Sequence, residues 1–178
     1  MKALPDGDRK AMTPEERDRF LRAAGERPPV EAAFLRLLYE GGCRLTEALH
    51  ADWSDIDRRD RALRVRRLKG SRDVTVPISA RLIEMLDEVG PQKRGPVFPG
   101  GSRCPRPDDA KQDEDAERAW EVCPTGHAAG RPARRWYARA AAAAGLHAGL
   151  QHPHVAKHTR ISDWARQLAA AGEPPGSL

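Results

Sequence analysis

The 178-residue sequence is poor in cysteine, with three residues at uneven spacing, Cys43, Cys104 and Cys123. That rules out a disulfide framework and points to a reducing compartment. Uninterrupted apolar runs of about eighteen residues, the length of a membrane-crossing helix, are missing, so no membrane partner is expected. No apolar stretch follows Lys2, so no secretory leader is expected, and the chain reads as soluble and cytoplasmic. There is no internal repeat. Metal-ligand spacing is wanting too. His154 and His158 are one helical turn apart with His152 nearby, but no glutamate follows the first histidine as a zinc hydrolase requires. Cys104, Cys123 and His127 lack paired Cys-x-x-Cys spacing, so no metal is expected.

What is present is charge, unevenly distributed. Lys plus Arg number 31 against 26 Asp plus Glu, a net +5. Arg58, Arg59, Arg61, Arg64, Arg66, Arg67, Lys69 and Arg72 form a basic ribbon with Asp60 as its one acid, while acids gather between Asp108 and Glu121. One basic ribbon on a balanced protein suits a polyanionic partner. A solvated charged face would give the same pattern.

The length suits one domain, expected over residues 1–178, with a poorly ordered, Pro- and Gly-rich loop at about 100–130. Thr13-Pro14-Glu15-Glu16 is a capping box with proline at the first helical position, and predicts a helix to about Ala24 that buries Phe20 and Leu21. A second helix follows Pro28-Pro29, with Val30, Phe34, Leu37 and Leu38 at helical spacing, and stops at Gly41-Gly42. A short helix spans Thr46 to about Ala51. The period then changes to two. Leu63 and Val65, then Val74, Val76 and Ile78, alternate with polar residues around the turn Lys69-Gly70-Ser71-Arg72, predicting a β-hairpin. Ser79 caps a further helix, Asp113–Val122 could form an acidic one, and helices resume from about Arg131 and from His154. The expected fold is mostly α (α+β), with a small antiparallel sheet inserted.

The most informative stretch is GGCRLTEALHADWSDID, Gly41–Asp57. Arg44, just after a Gly-Gly helix stop and at the head of a short helix, can turn its guanidinium outward while Leu45, Ala48 and Leu49 anchor the backbone. A guanidinium grips phosphate bidentately and stays charged at any relevant pH. This stretch resembles the first arginine box of the tyrosine recombinase (phage integrase) family, which it matches at Gly42, Arg44, Glu47, Leu49, Trp53, Ser54, Asp55, Ile56 and Asp57. The hairpin turn, Leu68-Lys69-Gly70-Ser71-Arg72, is similar to the family's lysine turn. The resemblance implies that Lys69 is the general acid for the departing oxygen, a role open to a flexible ammonium.

A second resemblance lies in QHPHVAKHTRISDWARQL, Gln151–Leu168, preceded by Ala144-Gly145-Leu146. It implies that His154 is the acid/base histidine and His158 a packed histidine steadying the helix. Lys157 stands where the family has its second phosphate-clamping arginine. Lysine keeps the charge but gives up the planar fork.

The family reading thus assigns Arg44, Lys69, His154 and Lys157 to catalysis, Arg64, Arg66, Arg67 and Arg72 to DNA binding, and Glu47 and His158 to structure. It implies double-stranded DNA as partner, a homo-oligomer or complementing recombinase on that DNA, no cofactor, and strand cleavage and rejoining by transesterification. The family's nucleophilic tyrosine has no match, since only Tyr39 and Tyr137 are present and both are expected to pack. The expectation is therefore a C-terminally truncated catalytic domain without an N-terminal arm-binding domain. It serves DNA recombination and integration or, alternatively, is an inactive DNA-binding remnant.

Overall fold

A computed structural model describes residues 9–67, 72–98 and 130–172. Lys69, the 100–130 loop and the acidic helix expected at 113–122 lie outside or almost wholly outside these residues. The helices are α1 (Pro14–Gly25), α2 (Pro29–Glu40), α3 (Leu45–Leu49), α4 (Ala80–Val89), α5 (Gly130–Ala143) and α6 (His154–Ala171). Between α3 and α4 come the strands β1 (Ile56–Asp57), β2 (Ala62–Val65) and β3 (Val74–Pro77). Single 3₁₀ turns occupy Trp53–Asp55 and Ala148–Leu150.

Helix α2 is the hub. Residues Ala32 to Leu35 and Leu37 to Glu40 are all buried, so it presents apolar surface around most of its circumference. Helices α1, α3, α4, α5 and α6 all pack against it. Val30, placed by spacing on this core helix, is exposed at its first turn. Phe34 meets Phe98 and Trp136 edge-on at centroid distances of 5.2 and 5.5 Å, the arrangement that aromatic quadrupoles favour. Helix α5 contributes Ala133, Tyr137, Ala140 and Ala141, Ala144 follows at its end, and Tyr137 lies 4.9 Å from the Phe20 ring.

The Thr13 box forms as the sequence predicts. The Thr13 hydroxyl accepts the Glu16 N–H, and the Glu16 carboxylate accepts the Thr13 N–H. The hairpin is part of a three-stranded antiparallel sheet ordered β1-β2-β3. Its inward row runs Ile56–Leu63–Val76, all buried. Strand β1 has only two residues, too few to show alternation in the sequence. Among the described residues, no helix is long and apolar enough to cross a membrane.

Candidate functional site

The site begins at the turn out of α2. Gly41 and Gly42 close the helix through N–H bonds to Leu37 O at 2.9 Å and Tyr39 O at 3.0 Å. Gly42 has φ +55°, and a Cβ there would stand 3.2 Å from the Trp164 ring of α6. A Cβ on Gly41 would come within 2.5 Å of Cys43 Sγ. Only glycine lets the chain reverse this tightly against α6. The reversal buries Cys43 and brings Arg44 to the N-cap of α3, half-exposed.

Glu47, one turn further along, gathers the neighbouring cations. Its side chain is fully buried. Oε1 accepts Arg44 Nη1 at 2.8 Å, and Oε2 accepts the Arg44 backbone N–H at 2.8 Å. Oε2 also accepts Nη1 of Arg67 at 2.8 Å, from the end of β2. Burial pushes the Glu47 carboxyl up, but the Arg44 N–H and the two guanidiniums outweigh it and hold the group below its ordinary value. Two guanidiniums therefore share one buried carboxylate.

Helix α6 brings the remaining groups. Its inward face is Val155, Ala156, Thr159 and Asp163. Thr159 Oγ1 accepts the Met12 N–H at 2.9 Å. Asp163 accepts the Tyr39 hydroxyl at 2.6 Å and pairs with Arg17 at 3.3 Å and with Arg166. Arg160 lies 4.6 Å over the Trp164 ring and donates to Glu40 O at 3.2 Å. These contacts tie α6 to α1 and α2, which fixes Lys157 beside the Arg44 turn. The Lys157 ammonium is held below its ordinary value by burial first, then by repulsion from Arg44 and Arg67 against the pull of Glu47. His154, at the exposed start of α6, is likewise held down by burial, then by His152, His158, Arg134 and Arg44. Both shifts put Arg44 within electrostatic reach of His154 and of Lys157.

The other site residues fall into two groups. Arg64 and Arg66 lie on the outer face of β2 and its end, where Arg64 pairs with Asp73 and Arg66 with Asp55, each at 2.8 Å. Arg72 is exposed. Arg67, read from sequence as a member of that ribbon, turns inward onto Glu47 and is 15% exposed. The signal was available, since Leu63, Val65 and Arg67 share one side of a period-two strand. His158 corrects an expectation: it is exposed, not packed, because it sits one turn beyond His154 on the outer side of α6. Sequence reading also missed Arg134, which enters the environment of His154, and the Tyr39–Asp163 bond that anchors α6. Both tyrosines are buried, Tyr39 bonded to Asp163 and Tyr137 inside the core. No group of three or more His, Cys, Asp or Glu side chains among the described residues could hold a metal ion.

The described residues thus form a helical scaffold with a small inserted sheet, and clustered cations stand beside a histidine on it. Residues 10–176 match the model of the phage integrase family, and the chain belongs to that family. Its fold is similar to that in a crystal structure of XerA recombinase, with a TM-score of 0.66 and 17% identity over 93% of this chain and 53% of that one. It is also similar to the integrase from mycobacterium phage Brujita, with a TM-score of 0.61 and 21% identity over 91% of this chain and 45% of that one. The chain thus spans about half the length of these two structures. No curated protein gives a significant match.

Proposed function

We propose that this protein acts in site-specific DNA recombination and integration, binding duplex DNA with one phosphodiester among Arg44, His154 and Lys157. The observation that carries this reading is the cluster itself, in which Arg44 and Arg67 share the single carboxylate of Glu47 and Lys157 lies within electrostatic reach of all three. The excess positive charge suits a phosphate. Arg44 clamps the non-bridging oxygens and Lys157 adds a point charge. His154, whose titration is held below its ordinary value by burial and by the neighbouring histidines and arginines, is able to accept the proton of an attacking hydroxyl. Lys69 is assigned by family resemblance to protonate the leaving 5′ oxygen as the new phosphoester bond forms. Arg64, Arg66 and Arg72 contact neighbouring phosphates. With Tyr39 and Tyr137 both buried, the attacking hydroxyl comes from outside these 178 residues, from further chain or from a recombinase bound alongside. The place of action is the cytoplasm, with the DNA.

Duplex binding measured by fluorescence anisotropy across a salt series tests this reading. Affinity should fall steeply as salt rises, and Arg44→Ala should weaken it by about tenfold or more, the worth of one charged hydrogen-bonded contact. Binding that ignores both salt and Arg44→Ala would overturn it.

A further inference from the structure

Glu47 raises a problem for any anion site built on Arg44. A buried carboxylate 2.8 Å from a guanidinium competes with an incoming phosphate for the same charge. Arg44 and Glu47 alone make a neutral pair, and a neutral pair offers a phosphodiester little net attraction. The structure answers with a second guanidinium on the same carboxylate, approaching Oε2 while Arg44 approaches Oε1. Each arginine spends one amino group on Glu47. Their exposures differ, however: the Arg44 side chain is 34% exposed and that of Arg67 only 15%. Arg44 faces the solvent side, where a ligand arrives, and Arg67 lies behind.

Building on the proposed function, we infer that Arg67 is a positioning residue: it neutralises Glu47 from the rear and so leaves the charge of Arg44 available to a phosphodiester. Glu47 then does two separable things. Its oxygens hold the Arg44 backbone and guanidinium in place, and its charge, cancelled by Arg67, no longer screens Arg44 from the ligand. The triad keeps a net single positive charge, to which Lys157 adds another. Arg67 is fitted to this task by position. It follows β2 on the inward side, and its backbone N–H is held by Asp73 Oδ1 at 3.1 Å, so the guanidinium reaches Glu47 from an anchored strand end.

The inference makes an unusual demand, because removing a second charge should repair the loss of the first. Arg67→Met should weaken duplex binding about tenfold, since an unscreened carboxylate now opposes the phosphate at close range. Arg67→Lys, which keeps a cation on Glu47, should recover most of that loss. The double variant Arg67→Met with Glu47→Gln should bind within about threefold of the wild type, because the single glutamine oxygen still accepts the Arg44 backbone N–H, the Arg44 guanidinium is left to the phosphate, and no negative charge remains to cancel. A double variant as weak as Arg67→Met would defeat the inference, since that outcome belongs to direct DNA contact by Arg67 or to a purely structural role. Thermal melts check folding. If Arg67→Met alone unfolds, the comparison of the double variant with Glu47→Gln decides: equal binding is expected, and a further tenfold loss overturns the idea. Absence of duplex binding by the wild type would instead sink the functional reading itself.

Discussion

Glu47 and Asp73 hold similar sets of partners in opposite surroundings. Each accepts one backbone N–H and at least one guanidinium, Glu47 from Arg44 and Arg67, Asp73 from Arg67 N and Arg64. Each titrates below its ordinary value. For Asp73 the bonds from Arg67 and Arg64 lead, whereas for Glu47 those bonds must first overcome burial. The Glu47 side chain is fully buried and that of Asp73 is 36% exposed. In water, Asp73 and Arg64 are each solvated without the other, so their pairing adds little. Inside, the Glu47 charge and its partners depend on one another, and losing one strands the rest. Hydrogen-bond geometry alone does not separate the two carboxylates; burial does.

Removal of Glu47 strikes this contrast hardest. Glu47→Ala should destabilise the fold by about 3 kcal/mol in urea titration, because the largely covered Arg67 and the partly covered Arg44 lose their counter-charge. The sign of the pH dependence comes from its lowered carboxyl titration. The wild-type advantage is complete above the ordinary Glu range, about 4.3, and fades as pH falls through the lower folded value. An advantage that persisted unchanged into acid would place the energy in packing.

Arg44→Ala probes the same knot more gently. With that cation gone, the Lys157 and His154 titrations should both move up toward their ordinary values, read by NMR on the side-chain nitrogens. Unmoved titrations would mean that Arg44 does not share their environment. The smallest effect is expected at the exposed carboxylate's partner. Arg64→Ala should leave the melting temperature unchanged while making the salt dependence of DNA binding shallower by about one phosphate contact. A clear drop in melting temperature would mean that the sheet face depends on its ion pairs as the buried knot does.

How legible each part was in the sequence tracks the range of the interactions involved. The Thr13 capping box, the Gly41-Gly42 stop, the Ser79 cap and the hairpin are each decided within a few residues, and each forms. The first arginine box was legible because its residues are contiguous. The inward turn of Arg67 was masked by the ribbon of like residues around it, and strand β1 by its brevity. His158 was misread because a helix position alone does not say which side another element covers. The anchoring of α6 could not be read locally, since Tyr39 and Asp163 meet across 124 positions.

The sequence by itself determined the kinds of element, their caps and turns, and the family frame that singles out Arg44, His154 and Lys157, because these depend on neighbours along the chain. Tertiary structure alone decided which charges are sheltered from water, that Glu47 serves two arginines, and that α6 is locked beside the Gly42 turn. Those outcomes depend on dielectric surroundings and on contacts between distant segments, which exist only once the chain has packed.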